Sequence, residues 1–390
     1  GDYAEAAEFF EALSRRSSQE QSAAGLDSSE FTLNRALQKS NLGEFAEADR
    51  LFAEVESIPT TDMVQQRLRR NFLAMHALNQ RNLDQAAAIL TKPVVQVTLP
   101  VQVENGAITL TPAMASGLNS AGGNASLHQE SDVQKLTPFE RAQIIDAQAV
   151  HLHGTVLRLG GDASGARAAQ LRALADTLSV RGGRVTANVR LRAQMLGELA
   201  LAEEALGDVS SADARLATAL RELSAEYPET NALASARARY ADFLTRHDQQ
   251  DKALTLYREV VQMLQQSQRS ASSMANIMAP YYRILAERAT HDADAAAEFF
   301  VASQLQVRPG VADTQAVLAR ELSAGSGESA RLFRQATTLT RDIERSRIED
   351  ARLAQLPVTG ELESLRSTLR AQIETLSFQQ ADTLAMLSQY

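Results

Sequence analysis

Along most of this chain apolar residues recur three and four positions apart, the spacing that gathers them on one face of an α-helix. The pattern itself repeats. GDYAEAAEFFEAL at residues 1–13 returns as GEFAEADRLFAEV at residues 43–55, in a shared Gly-x-aromatic-x-x-Ala-x-x-hydrophobic-aromatic frame. Ala6, Ala48, Ala86, Ala166, Ala212 and Ala253 mark successive copies, with gaps of 42, 38, 80, 46 and 41 residues. The period is therefore about 40, with one double interval, and self-similarity on this scale is the mark of a repeat array. Gly43-x-Phe45, Leu83, Gly161-x-Ala163 and Gly207-x-Val209 hold the turn and the first anchor of each unit. Phe10, Phe52, Leu90, Leu216 and Tyr257 stand four residues after their alanines. The preceding helix carries a large–small pair: Leu73-Ala74, His153-Gly154, Leu199-Ala200 and Tyr240-Ala241. A small residue at a crossing lets two helices approach, and a bulky one a turn later fills the facing groove. The predicted unit is a helical hairpin and the predicted fold class is all-α.

Residues 92–136 break this pattern. VVQVTLPVQVENGAITLTP alternates apolar and polar residues, and Asn105-Gly106 lies between Val101/Val103 and Ile108/Leu110. That arrangement predicts a β-hairpin, because both turn residues must adopt positive φ. SGLNSAGGNASLHQESD then predicts a loop, so the whole insertion is either a surface excursion or a lid or partner-contacting arm. Helix resumes at Leu136-Thr137-Pro138-Phe139-Glu140, with Thr137 as cap, Pro138 at the first helical position and Glu140 closing a capping box.

The order of Leu-Gly/Ala, Gly-x-Tyr, Ala and Tyr/Phe along paired helices resembles the tetratricopeptide repeat. The resemblance covers about residues 1–265 outside the insertion. It departs from the family in having no Trp at the early aromatic position, and its longer period resembles the long-helix variants. It implies a right-handed superhelix of seven or eight hairpins, with the first helices lining a concave groove for a peptide or partner helix. Projected on this sequence, the implied peptide-binding groove comprises Asn71, Met75 and Asn79, then His151, Thr155 and Arg158. The next units add Gln194 and Glu198, then Arg239, Asp242 and Arg246. Asn, Gln and Arg suit hydrogen bonding to a peptide backbone, and Met adds an adaptable apolar contact.

Beyond residue 265 the frame fades. Residues 266–336 read as degenerate helical hairpins, with Phe299 and Phe300 as core anchors. Gly325-Ser326-Gly327 predicts a turn, a long polar helix follows to about Leu356, Pro357 stops it and Thr359 caps the next. In that last helix Leu362, Leu365, Leu369, Ile373 and Leu376 form a narrow coiled-coil seam. Residues 337–390 are thus expected to form a long antiparallel helical hairpin, a cap or a linker to a further domain. ASQLQVRPGVADTQAVLARELSAG, ESARLFRQATTLTRDIERSRIEDARL and the closing LSQY resemble the segment joining repeats to a caspase-like peptidase in bacterial CHAT-domain proteins. This implies a fragment that begins inside a repeat and stops before a CHAT domain, with which the array would make intramolecular contact. The function expected is then non-catalytic protein–protein interaction and regulation. The alternative is a stand-alone assembly scaffold self-associating through its C-terminal helices.

Composition narrows the chemistry. A net charge of −9 with no basic stripe argues against nucleic acid as the main partner. No eighteen-residue apolar window is present, so membrane insertion is not expected. The chain has no cysteine, which excludes disulfides, thiolate metal sites and a cysteine nucleophile within it. His151 and His153 are two apart, on nearly opposite helix sides, whereas a shared metal needs three or four. His291 with Asp292 and Asp294 offers only a loose metal site. LGGDASGA at 159–166 lacks the Lys-Ser/Thr of a phosphate loop and reads as a turn between helices. No catalytic residues, metal or cofactor are expected, and the compartment stays open between bacterial cytoplasm and periplasm.

Overall fold

The computed structural model describes residues 28–94, 103–104, 107–108, 136–228, 230–266, 274–306, 327–354 and 360–387. Among them are fourteen α-helices. In chain order these are α1 (Ser28–Asn41), α2 (Phe45–Glu56), α3 (Met63–Asn79), α4 (Leu83–Leu90), α5 (Pro138–Leu159), α6 (Ala163–Ser179) and α7 (Val189–Ala205). The rest are α8 (Val209–Glu226), α9 (Asn231–Arg246), α10 (Gln250–Gln266), α11 (Ala275–Ala289), α12 (Ala293–Ser303), α13 (Glu328–Leu353) and α14 (Gly360–Leu387). Within the 92–136 insertion, β1 (Val103–Glu104) pairs antiparallel with β2 (Ala107–Ile108), Val103 opposite Ile108. Asn105-Gly106, the loop at 109–135 and the first repeat copy with Ala6 and Phe10 lie outside the described residues.

The helices belong to two compact units, Gly43–Asp208 and a second that combines Val209 onward with the residues up to Leu42. The span 1–265 is therefore divided between two bodies. In the first, α3 packs on α4 and α5 on α6, while α3 also meets α5 and α5 meets α7. In the second, α9 packs on α10, α11 on α12, and α13 on α14. The last pair begins at Glu328 rather than at residue 337, because Gly327 ends the turn and an unbroken helical pattern follows.

The register alanines explain the pairing. Ala48, Ala86, Ala166, Ala212 and Ala253 are at most 1% exposed, as a close helix crossing requires. Four helix ends share one geometry. Asn82 N donates to Ala77 O (2.8 Å), and Asp162 N to Leu157 O (2.9 Å). Asp208 N donates to Glu203 O and Gln249 N to Leu244 O, both at 2.9 Å. The residue before each donor has positive φ: Arg81 (59°), Gly161 (91°), Gly207 (82°) and Asp248 (59°). This is the Schellman closure, which satisfies helix-end carbonyls and favours glycine. Two units make it without glycine, so the turn is imposed by packing of the pair as well as by local preference. Thr137 and Glu140 form the expected capping box on α5, with Pro138 in the first turn.

Candidate functional site

The first helices of the hairpins carry the expected groove, and eight of its residues lie in the first unit. The structure separates them by environment. Asn71 is wholly buried between α3 and α5. Its Nδ2 donates to Ile145 O (2.8 Å) and Gln148 Oε1 (3.1 Å), and its Oδ1 accepts from Arg70 Nε (3.0 Å). His151 is also buried, against α6, where its Nδ1 donates to Gln170 Oε1 (2.8 Å) and Gln170 Nε2 donates back to His151 O (3.0 Å). Neither side chain is open to a partner. Both are helix clamps, because each meets its polar needs inside the unit.

The other six are not buried: Met75, Thr155, Arg158 and Glu198 are half-buried, and Asn79 and Gln194 are exposed. Arg158 and Glu198 face each other. Arg158 Nε donates to Glu198 Oε2 (2.8 Å) and a second guanidinium nitrogen to Oε1 (3.2 Å), joining α5 to α7. Each side chain of this bidentate pair is about one-fifth exposed. In the second unit Arg239 is exposed, and Arg246 pairs with Asp242 one turn away on α9.

Beside these, the first unit holds polar residues that the repeat frame did not single out. Arg67 and Arg70, on α3, both reach Asp146 on α5, at 2.9 and 3.0 Å. His76 Nε2 lies 2.9 Å from Asp49 Oδ1, with its ring against Phe45 and Phe52. Arg181 is bidentate to Glu140 (2.6 and 2.8 Å). Burial alone would raise the Glu140 carboxyl, but Arg181 and Thr137 outweigh it and hold the carboxyl below its ordinary value.

Gln170 is the residue a closer reading of the frame finds. It stands four after Ala166, the slot filled elsewhere by Phe52, Leu90, Leu216 and Tyr257. A glutamine there is buried, so it needs partners, and His151 supplies both. Gly154 follows from the same clamp: a Cβ at that position would lie 2.7 Å from Gln170 Nε2. The small residue of the His153-Gly154 pair thus makes room for a polar side chain, and His153 itself is half-buried.

Burial lowers the His151 pKa, against the opposing pull of the Gln170 hydrogen bond and the Glu198 charge. The unfolded chain, with an ordinary histidine near pH 6.5, then takes up the proton before the folded one. Stability contributed by His151 is present above that pH and is lost as pH falls below it. The melting temperature should therefore decline from pH 7 towards pH 5.5, and the decline should be shallower in His151→Leu. An equally steep decline in the variant would remove His151 as its cause.

The second unit has its own polar core. Tyr257 and Tyr281 stack with centroids 5.0 Å apart, and Tyr281 Oη donates to Glu298 Oε1 at 2.7 Å. Arg258 holds the same carboxylate at 2.8 and 2.9 Å. Phe299 meets the edge of Tyr282, but Phe300 is 65% exposed and is not a core anchor. Only one of two adjacent helical positions can face inward here, and Tyr282 selects Phe299.

Asp292 caps α12 by accepting from Asp294 N (2.9 Å) and Ala295 N (3.3 Å), which is how the His291 turn uses its acids. Asp162 likewise caps α6 at the LGGDASGA turn, accepting from Gly165 N at 2.8 Å. Among the described residues no three His, Asp or Glu side chains gather as a metal site, and no helix is long and apolar enough to cross a membrane. No protein-family model matches the chain, and no curated protein is significantly similar to it.

Proposed function

We propose that this chain is a protein–protein interaction module of the tetratricopeptide type, non-catalytic itself. It would hold an extended peptide or a partner helix along the first helices of its hairpins. The observation that carries this reading is the packing of α5 against both α3 and α7, three helices that bear the exposed Asn79 and Gln194, the half-buried Met75 and Thr155, and the Arg158–Glu198 pair. Amide side chains in such a row match the donors and acceptors of an extended backbone, and Met75 offers an adaptable apolar contact. The resemblance of the C-terminal segment to CHAT-domain proteins makes a peptidase-like domain the element this module would regulate.

Peptides selected from a random display library against the full chain test the reading. Met75→Glu combined with Gln194→Glu should weaken the selected peptides by about tenfold or more, the loss of roughly 1.4 kcal/mol. Both positions lie outside the buried core, so helicity and melting should hold. Unaltered affinity would remove these helices as the binding surface.

A further inference from the structure

One side of α6 is apolar and exposed. Ala166, Gln170, Ala173 and Thr177 are its buried positions, and α6 packs on α5 and α7. Ser164, Ala168, Leu171, Ala175 and Leu178 follow one another four, three, four and three apart, and all are exposed, Leu171 by 41% and Leu178 by 48%. None of the five is charged. At 1.5 Å per residue they form a track about 21 Å long.

The 92–136 insertion returns to the helices beside this track. Leu136, its last residue, is buried with Val180 and Val185, just past the C-terminal end of α6. Gly183 stands between those valines in the chain, and a Cβ there would lie 2.9 Å from a Leu178 methyl carbon. Leu178, the last residue of the track, therefore lies against the same turn that receives the end of the insertion.

The insertion has a matching face. Val103 stands opposite Ile108, and the same register carried two residues away from the turn sets Val101 opposite Leu110. Alternate strand positions share a face. These four apolar residues therefore fall on one face of the ribbon, with Gln102, Glu104, Ala107 and Thr109 on the other. A two-stranded ribbon is marginal alone in water and gains stability when a face packs on a helix. Strand residues 99–104 would extend about 20 Å at roughly 3.4 Å per residue, the length of the track.

We propose that the ribbon at 99–112 docks on the exposed side of α6 in its own chain, its Val101–Val103–Ile108–Leu110 face covering Leu171 and Leu178. The tether selects this occupant over a second copy. Residues 113–135 join the ribbon to Leu136, so the contact is intramolecular, at an effective concentration that a separate chain would need about millimolar levels to match. The insertion is thus assigned to a second helix and not to the first helices that carry the groove. It does not rest on the groove reading, and either could fail without the other.

The chain has neither Trp nor Cys, so one probe pair reads the contact. A bimane on Ala175→Cys should be quenched by Leu110→Trp in the same chain, equally at all protein concentrations, and a mixture of the two singly substituted chains should show no quenching. Leu171→Glu with Leu178→Glu should abolish the quenching. The same pair should speed thermolysin cleavage within residues 99–112 about tenfold or more, since cleavage follows the population of the open form. Both leucines are exposed, so far-UV dichroism and affinity for the groove-selected peptides should hold. No quenching in the doubly substituted chain would overturn the proposal, as would cleavage unchanged by the glutamates. Quenching in the mixture would also overturn it, by assigning the track to a second copy.

Discussion

Tyr257→Ala should destabilise the second unit by about 3–5 kcal/mol, the cost of emptying an aromatic site in a packed core. Tyr257 is fully buried, its ring stacks on Tyr281, and its Oη donates to Ile277 O at 3.0 Å. Truncation removes the ring, leaves that carbonyl without its partner and strips one face from Tyr281. Tyr281 in turn holds Glu298, which Arg258 pairs from the other side, so α10, α11 and α12 lose a shared anchor. Tyr257→Phe keeps the stack and loses the hydrogen bond alone, at about 1–3 kcal/mol. Urea unfolding gives the magnitudes, and hydrogen exchange should place the loss of protection in α10–α12. A Tyr257→Ala cost below that of Tyr257→Phe would contradict the packing described.

The second large effect concerns the register alanines. Ala86→Leu and Ala212→Leu should each cost about 1–3 kcal/mol, because both positions are fully buried on helices that pack on a neighbour and extra methylenes have nowhere to go. Leucine has nearly the helix propensity of alanine, so the cost reports packing and not helix formation. Ala297→Leu on α12 is the control. That position is exposed, and its cost should stay within about 0.5 kcal/mol. Equal melting temperatures for the three variants would mean that the repeat frame does not mark crossings.

Those alanines show what was legible in the sequence. Period, pairing, turn positions and the α5 capping box depend on local spacing and on which residues are small, and a linear sequence displays both. The groove was less legible. Register assigns a residue to a helix face, but it does not say how far a neighbouring helix covers that face. Asn71 and His151 sit on first helices, as expected, and are consumed by contacts to α5 and α6. Arg158 and Glu198 are 40 residues apart on neighbouring helices, and no local spacing displays their pairing. Gln170 carried a readable signal, a polar residue in a slot otherwise apolar, whereas the choice of Phe299 over Phe300 depended on Tyr282 from another helix.

Partners are proposed to bind along the first helices. Hydrogen exchange of the full chain with and without a selected peptide tests it most directly. Binding there should add protection in α3, α5 and α7, strongest around residues 75–79, 155–158 and 194–198, with α4 and α6 unchanged. Protection confined to α4 and α6, or spread evenly over both helices of each pair, would contradict it.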